Sequence, residues 1–352
     1  MKPVPPEIEI AGRRIGAAHE PFVICELSGN HNGSLERALS MLDAAAATGC
    51  DAIKIQTYTA DTITMDVDRP EFRIHGGLWD GRSLYELYQE AQTPFEWHES
   101  LFARARELGV ILFSSPFDES AVDLLDGLGA PAFKIASFEA IDLPLIRYTA
   151  AKGKPLIIST GMANLAEIEA AKAAALEAGA SGVVLLHCVS SYPARLEDAN
   201  VRTVADMAGR FGCPVGLSDH THGTAASVAA IALGACVIEK HFTLARADGG
   251  PDAAFSLEPA EFTTLVRECK DAWRALGRAH YDLLGAERAN LQFRRSLYVA
   301  ADVPAGAPLT RDNVRSIRPG NGLPPASLPD VLGRPAARDL KRGEPLAWDM
   351  ME

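Results

Sequence analysis

The sequence lacks the patterns of extracellular, membrane and nucleic-acid-binding proteins. Its six cysteines include no CxxC pair and lie mostly in apolar segments, which predicts buried reduced thiols rather than a disulfide framework or a zinc site. Acidic residues outnumber basic ones by 46 to 34, and the net charge of -12, without a basic patch, disfavours nucleic acid and anionic membranes as partners. Residues 1–16 lack the apolar run of a secretory signal peptide, and the longest uncharged stretch, 220–238, is too rich in Ala, Gly and Thr to span a bilayer. These absences predict a cytoplasmic protein.

The chain is long enough to bury a sizeable core. It has 352 residues, of which 47% are hydrophobic and 23% charged, which is the composition of a globular protein. The length suits one large domain or two unequal ones. A fibrous or disordered protein is therefore disfavoured.

Short β-branched segments alternate with longer amphipathic segments from about residue 22 to residue 277. Eight strands are predicted, at 22–27, 52–56, 110–114, 132–135, 155–159, 182–188, 214–217 and 237–240. Helices are predicted between them, at 34–49 with Ser34 as N-cap, and at 94–108, 120–128, 164–178 and 201–210. This order and size match an α/β fold of the TIM (β/α)8 barrel type. A doubly wound sheet is the alternative, although no G-x-G-x-x-G turn follows a strand.

The two ends of the chain follow other patterns. Residues 8–16 predict a small hairpin that turns at Gly12 and could cover one end of the barrel. After residue 277, Pro and Gly interrupt the sequence every few residues, which predicts a small β-rich domain. Within it, residues 302–309 resemble residues 339–346, a weak internal repeat of one turn and one strand. A domain of this size is expected to dock on another surface to bury its apolar residues.

Polar residues concentrate where the predicted strands end, which is where a TIM barrel builds its active site. A single residue of this kind is often only a loop residue or a helix N-cap, so the argument rests on the whole set. That set comprises Glu26, Lys54, Gln56, Ser115, Lys134, Ser137, Glu139, Ser159, Ser190, Tyr192, Ser218, Asp219, His220, Glu239 and His241.

Lys54 and Lys134 lie inside otherwise apolar strands. A buried ammonium is costly unless an anion pairs with it. The sequence favours an anionic ligand as that partner, bound together with the neighbouring serine hydroxyls as a phosphate and a carboxylate would be. A structural pairing with Glu26 or Glu239 is the alternative. A Schiff-base aldolase, which would use one of the lysines covalently, also remains open.

His220 and His241 follow consecutive strands, so their imidazoles are predicted to meet at the barrel mouth and hold a divalent metal. Two nitrogen ligands with open positions for oxygen suit Mn²⁺ or Mg²⁺ better than a closed zinc site. Asp219, which precedes His220, is a candidate carboxylate to support a ligand imidazole. His222 is a weaker candidate because it is expected to begin the next helix.

These motifs together resemble the sialic acid (nonulosonic acid) synthase family. The resemblance is carried by residues 26–32, 54–56, 134–139, 159–162, 187–193, 216–221, 239–242 and 315–323. It implies a TIM barrel with a C-terminal antifreeze-like (SAF) domain, divided into a synthase domain at 1–281, a linker at 282–293 and the SAF domain at 294–352. It also implies condensation of phosphoenolpyruvate with an N-acetylated aminosugar aldehyde.

Two departures from the neuraminate pattern, Ser190 and the segment 249–256, resemble the pseudaminic acid synthase branch of that family. The implied sugar is 2,4-diacetamido-2,4,6-trideoxy-L-altrose, and an N-acetylneuraminate or legionaminate synthase is the alternative. A methyl group at C6 calls for apolar contacts, for which Phe138 and Phe255 are candidates. A catalytically silent sugar-binding or scaffold protein is disfavoured, because nearly all the strand ends carry polar residues.

The resemblance also implies a role for each site residue. His220 and His241 would bind the metal, Glu26 would act as general base or position a water, and Arg318 would reach the sugar from the partner subunit of a domain-swapped homodimer. Phosphoenolpyruvate would be held by Lys54, Ser115, Lys134, Ser137, Ser159, Ser190 and Ser218. The sugar would be contacted by Gln56, Glu139, Tyr192 and Asp252.

Overall fold

The computed structural model describes residues 6–352, so the part of the signal-peptide prediction that concerns residues 1–5 lies outside it. The strands are β1 (Glu7–Ile10), β2 (Arg13–Gly16), β3 (Phe22–Glu26), β4 (Ala52–Thr57), β5 (Ile111–Pro116), β6 (Phe133–Ile135), β7 (Leu156–Ser159), β8 (Val183–Cys188), β9 (Val215–Asp219), β10 (Val237–His241), β11 (Ser296–Val299) and β12 (Val314–Ile317). The helices are α1 (Leu35–Ala47), α2 (Ala60–Ile63), α3 (Leu84–Ala91), α4 (His98–Leu108), α5 (Glu119–Gly127), α6 (Leu143–Ala150), α7 (Leu165–Glu177), α8 (Arg202–Phe211), α9 (Ala225–Ala232), α10 (Pro259–Leu276) and α11 (Leu328–Val331).

Strands β3 to β10 form a closed parallel barrel in sequence order, and β10 pairs with β3 to complete the ring. The predicted TIM barrel is therefore confirmed. The predicted strand and helix limits agree with the structure to within a few residues because turn and cap signals fix them. Ser34 accepts a hydrogen bond from the Arg37 amide, and Asn164 and Glu167 form a capping box at the start of α7. The helix expected to begin at His222 instead begins at Ala225, and His222 is exposed in the preceding turn.

The barrel interior has an apolar half and a polar half. Side chains alternate along a strand, so every second residue points inward. Towards the start of the strands these inward residues are apolar and form one buried cluster, which includes Phe22, Ile24, Phe113, Ile157 and Val237. One pleat further along, the inward residues are the polar ones described below.

The N-terminal hairpin covers the apolar end of the barrel. Strands β1 and β2 pair across a two-residue turn at Ala11 and Gly12, both with positive φ, which is the geometry of a tight hairpin. Ile10 and Ile15 are fully buried and belong to the same cluster as the inward barrel residues. The structure thus confirms the predicted hairpin and its predicted place over one end of the barrel.

The chain divides into two compact units, one that ends at Gly277 and one that begins at Arg278. The second unit pairs β11 with β12 and has its own apolar core, centred on Leu297, Val299 and Leu346. Its two repeats pair with each other, since Val303 and Leu340 exchange backbone hydrogen bonds of 2.9 and 2.8 Å. The small domain therefore has an apolar core of its own, and its expected docking on another surface stays a prediction.

All six cysteines are buried and unpaired, as predicted. Within residues 6–352, no helix combines the length and the apolar character needed to cross a membrane.

Candidate active site

A cavity of about 700 Å³ opens at the carboxyl ends of the barrel strands. Of the site residues predicted from the barrel, Asp219 does not line it, and the others do: Glu26, Lys54, Gln56, Ser115, Lys134, Ser137, Glu139, Ser159, Ser190, Tyr192, Ser218, His220, His241 and Asp252. Glu239 lines it as well. Arg318 belongs to the second unit, where it is exposed, and its role stays a prediction.

The floor of the cavity is a cluster of buried charges around Glu239. Its Oε1 atom lies 3.1 Å from Lys54 Nζ and 3.3 Å from Lys134 Nζ, and it accepts a hydrogen bond of 3.2 Å from Ser218. Lys54 Nζ also lies 3.2 Å from Oε2 of Glu26. The carboxylate pairing that the sequence analysis kept as the alternative is therefore present, and the preferred anionic ligand has to be considered in addition to it.

Burial and charge act in opposite directions on these groups. Burial disfavours the charged form of Glu239, but the two lysines outweigh it and lower its pKa to about 2. Burial likewise disfavours the ammonium of Lys54, but Glu239 and Glu26 raise its pKa to about 12. For Lys134 and Glu26 burial prevails, so the pKa of Lys134 is lowered and that of Glu26 is raised.

Hydroxyl groups surround the lysines, as an anion site requires. Ser115 Oγ lies 3.5 Å from Lys54 Nζ, and the buried hydroxyl of Ser159 has no hydrogen-bond partner among the described residues. Gly161 lets the hydroxyls of Ser137 and Ser190 approach each other, because a Cβ at this position would meet both and would lie 2.7 Å from Ser137 Oγ. The strand ends therefore present several free donors to one small volume.

His220 and His241 face each other with ring centroids 5.3 Å apart. Nδ1 of His220 lies 3.0 Å from the Val189 carbonyl oxygen, so Nδ1 carries a proton and Nε2 is the ring nitrogen that could bind a metal. Nδ1 of His241 is buried without a hydrogen-bond partner among the described residues and lies 3.9 Å from a carboxylate oxygen of Asp252. Burial holds the pKa of His241 well below its usual range, which keeps the ring neutral.

This donor set fits a metal with an open coordination sphere. Metal-ligating imidazoles are neutral and are oriented by a hydrogen bond to the other ring nitrogen, as His220 is. Among residues 6–352 there is no group of three or more His, Cys, Asp or Glu side chains arranged as a metal cage. The two histidines would thus leave positions for water or substrate, as a catalytic site does.

Asp219 does not support His220 in the manner expected from the sequence. Its carboxylate points away from the cavity and binds Lys240, Thr221 and Ser227. The orienting partner of His220 is the Val189 carbonyl group instead. That partner is a backbone atom, so no residue type in the sequence could have indicated it.

The loop that carries Asp252 is fixed to the end of β3. The Ser28 hydroxyl donates a short hydrogen bond to the Asp252 carboxylate, and Asn30 Oδ1 accepts from the Asp252 amide at 3.2 Å. Gly250 adopts φ 127, and a Cβ there would meet the side chain of Asn32 at 2.6 Å. Sequence reasoning missed Ser28 as a site residue, although it lies in the motif 26–32.

Two carboxyl groups differ in their partners. Glu26 Oε1 accepts a 2.9 Å hydrogen bond from Gln56, whereas Glu26 Oε2 makes no geometrically good hydrogen bond. Glu139 has a buried oxygen without a partner among the described residues, and burial raises its pKa to about 7.

Cys188, which the sequence indicated only as a buried thiol, also lines the cavity, with its Sγ 3.8 Å from Ser190 Oγ.

The cavity lining also includes a set of apolar and aromatic side chains that sequence reasoning missed. This apolar wall consists of Tyr58, Ile63, Ile74, Leu78, Trp79, Leu84, Leu87, Tyr88 and Phe117. Trp79 joins it to the Asp252 loop, because Nε1 of its ring donates a 2.9 Å hydrogen bond to the Pro251 carbonyl group.

The two phenylalanines proposed for sugar contact have different positions. Phe138 lines the cavity and is 57% exposed. Phe255 does not line it; this side chain is buried and packs on the ring of His241, with centroids 4.9 Å apart. Phe255 therefore supports the histidine from behind, and the expected direct contact with the sugar is corrected.

Comparison with known proteins gives matches over both units. Residues 41–281 match the NeuB family, and residues 294–352 match the SAF domain. Pseudaminic acid synthase of Campylobacter jejuni is 44% identical over 92% of this chain and 95% of its own length, and that of Helicobacter pylori is 41% identical over 94% and 98%. The crystal structure of N-acetylneuraminic acid synthetase from Leptospira borgpetersenii, in complex with citrate, aligns with a TM-score of 0.74 at 30% identity, over 84% of this chain and 98% of that one.

Proposed function

This chain belongs to the NeuB family, and from that membership we propose that it is a pseudaminic acid synthase. It condenses phosphoenolpyruvate with 2,4-diacetamido-2,4,6-trideoxy-L-altrose to give pseudaminic acid and phosphate. The observation that carries this proposal is one cavity whose lining combines two lysines, two histidines and an apolar wall. The floor suits an anionic substrate and a carbonyl group, and the wall suits a sugar with few hydroxyls.

Phosphoenolpyruvate binds over Lys54 and Lys134, with Ser115, Ser137, Ser159, Ser190 and Ser218 as further donors. Charge-assisted hydrogen bonds from ammonium groups to phosphate are among the stronger polar contacts in proteins. The lysines already contact Glu239, so the substrate anion shares or replaces that carboxylate. The same two lysines then stabilise the phosphate as it leaves.

His220 and His241 would hold the divalent metal, Mn²⁺ or Mg²⁺. When bound, the metal supplies Lewis-acid polarisation of the sugar aldehyde. The protein keeps the His241 imidazole neutral by burial and orients His220 through the Val189 carbonyl group. Tyr192, whose ring centroid lies 4.4 Å from that of His220, excludes water from one side of this imidazole.

The reaction joins C3 of phosphoenolpyruvate to the aldehyde carbon of the open-chain sugar. The aldehyde oxygen becomes a hydroxyl group with one of the two protons of the water that adds at C2, and the other proton leaves with the phosphate as C2 becomes a ketone. Positive charge develops at C2, water adds there, and Glu26 accepts the proton that the water loses. The tetrahedral intermediate then loses phosphate by cleavage of the C2–O bond. Glu26 suits this part because Gln56 holds its Oε1 atom, while Oε2, 3.2 Å from the Lys54 ammonium group, makes no hydrogen bond among the described residues and is left to accept one from a water.

The sugar lies between the metal-binding histidines and the apolar wall. Gln56, Glu139, Tyr192 and Asp252 contact its polar groups. Placing a hydroxyl group against an apolar surface costs roughly 1–3 kcal/mol of binding free energy if the hydroxyl loses its hydrogen bonds. Burying a methyl group against the same surface is favourable. The wall therefore favours a 6-deoxy sugar over N-acetylmannosamine, the sugar of the alternative neuraminate reaction.

A homodimer completes the proposal, with Arg318 of each subunit directed to the other's sugar. Its support is an apolar surface on the loops and helix starts that follow β6 and β7, where Phe138, Ile141, Met162 and Leu165 are 57, 63, 64 and 45% exposed. Exposed apolar surface of this kind is typical of an interface.

The proposed location is the cytoplasm, for which six unpaired cysteines are the support.

The reaction is tested by measuring phosphate release from phosphoenolpyruvate in the presence of Mn²⁺. The assay is run with the diacetamido-trideoxy-altrose and with N-acetylmannosamine, each with and without EDTA. Release with the diacetamido-trideoxy-altrose alone, abolished by EDTA, is the expected result. Release with N-acetylmannosamine alone would keep the chemistry and reject the pseudaminate assignment. Inactivation by borohydride in the presence of substrate would favour the Schiff-base aldolase instead.

A further inference from the structure

Asp219 and Lys240 form an ion pair between the two strands that carry the histidines. The two residues are register partners in β9 and β10, and Nζ lies 2.8 Å from Oδ2 with each side chain only 1% exposed. Side chains alternate along a strand, so this pair points away from the cavity while His220 and His241 point into it. The Ser227 hydroxyl of α9 donates a 2.6 Å hydrogen bond to Asp219, which places the pair between the barrel and its helical layer.

The pair also holds the peptide that follows His220. The amide and the hydroxyl of Thr221 both donate to Asp219 Oδ1, at 2.9 and 2.8 Å. Lys240 Nζ donates to the Thr221 carbonyl oxygen at 2.6 Å. The backbone is therefore fixed on both sides of His220, and the lysine that completes this network directly precedes His241.

Stability alone does not account for this arrangement. Burying a charge costs several kcal/mol even after relaxation, and apolar residues of similar volume often replace a buried pair without loss of stability. The surrounding layer is apolar, since Leu217, Ile231 and Ile238 belong to the main hydrophobic cluster. An apolar pair would fit that layer but would leave the Thr221 peptide without its partners.

We infer that the Asp219–Lys240 pair positions the two histidines for metal binding, by fixing the strand ends from which they project. Both are positioning residues, because they do not line the cavity. This inference rests on the metal role proposed above for His220 and His241. The lysines proposed to bind phosphoenolpyruvate lie on β4 and β6, so loss of the pair should weaken metal binding and spare the anion site.

The test is the double variant Asp219→Leu/Lys240→Met, which removes the pair without leaving a lone buried charge. Titration calorimetry with Mn²⁺ alone should show binding weakened by roughly 10-fold or more, the usual effect of losing a group that orients a metal ligand. The affinity for phosphoenolpyruvate, measured in EDTA, should stay within about twofold of the wild type. Ser227→Ala, a milder variant that removes one hydrogen bond to Asp219, should weaken Mn²⁺ binding less and in the same direction.

The control is Asp51→Asn at the opposite end of the barrel, where Asp51 pairs with Arg13 and accepts from the Val23 amide. It should lower thermal stability and leave Mn²⁺ binding unchanged. Wild-type Mn²⁺ affinity in the folded double variant, or in Ser227→Ala if the double variant fails to fold, overturns the inference, as does an equal loss of Mn²⁺ and phosphoenolpyruvate binding. A wild-type protein that binds no Mn²⁺ would remove the metal from the proposed function and this inference with it, so the two failures are distinguishable.

Discussion

The carboxylate of Glu239 lies 3.1 Å from the ammonium group of Lys54, although the two residues stand 185 positions apart in the sequence. Glu239 also contacts Lys134, so a single carboxylate serves both lysines of the cavity floor. An incoming anion must share or displace this carboxylate. The floor is therefore charge-compensated before the substrate arrives, and its affinity for anions depends on Glu239.

Glu239→Gln is expected to strengthen the binding of inorganic phosphate and to destabilise the ligand-free protein. The amide cannot neutralise Lys54 and Lys134, so a bound anion interacts with these lysines more favourably. The ligand-free protein loses a buried ion pair, which lowers its free energy of unfolding by about 3–5 kcal/mol. Titration calorimetry with phosphate and thermal unfolding measure the two effects. Weaker phosphate binding by a folded variant would contradict this role of Glu239.

His241→Ala is expected to abolish metal-dependent turnover, by more than ~100-fold, while the fold remains intact. His222→Ala is the matched control, because His222 is exposed and lies outside the cavity lining. Phosphate release and circular dichroism measure activity and folding. Unchanged activity of the His241 variant would remove this residue from the ligand set.

Trp79→Ala is expected to raise the KM for the sugar by roughly 10-fold and to leave phosphoenolpyruvate binding almost unchanged, because Trp79 belongs to the apolar wall and is not among the proposed phosphoenolpyruvate ligands. Trp79→Phe keeps a ring but loses the hydrogen bond to Pro251, so it separates apolar contact from loop positioning. The control is Trp348→Ala, in the second unit. An equal rise in both KM values would argue against a specific sugar contact.

Glu139 is expected to make the ligand-free protein less stable as the pH rises from about 4.5 to 7. Burial raises the pKa of Glu139 from its usual 4.5 to about 7, so in this window the folded state binds a proton that the unfolded chain has lost. The free energy of unfolding therefore falls across the window, and Glu139→Gln removes that part of the decline. The variant should be more stable than the wild type by about 1–3 kcal/mol at pH 8 and no more stable at pH 5, measured by denaturant unfolding. The same difference at both pH values would contradict this assignment.

Arg318→Ala is expected to weaken use of the sugar more than binding of phosphoenolpyruvate. The measurement is the KM for each substrate, with the oligomeric state determined by light scattering. A wild-type protein that is monomeric and fully active would reject the proposed contribution from a partner subunit.

Sequence patterns predicted the barrel and its polar rim closely, because the inward residues of a barrel strand follow from its two-residue period. Lys54 and Lys134 stood out as charges inside apolar strands, and their pairing with Glu239 was only the alternative prediction, because residues on three separate strands share no local sequence pattern that would favour it. The apolar wall escaped notice for another reason. Its residues lie on the short helices α2 and α3, in the loops around them and after β5, so no single helix or strand periodicity links them.

The hairpin that seals the barrel behind its apolar layer has a consequence for the order in which ligands come and go. Within residues 6–352, the cavity is reached from the carboxyl ends of the strands, while Ile10 and Ile15 close the other end. With phosphoenolpyruvate at the lysines and the sugar nearer the opening, as proposed, phosphoenolpyruvate must enter before the sugar. The depth of the lysines in the cavity thus predicts an ordered kinetic scheme. The sugar cannot bind productively before phosphoenolpyruvate, and phosphate leaves only after the outer part of the cavity is empty.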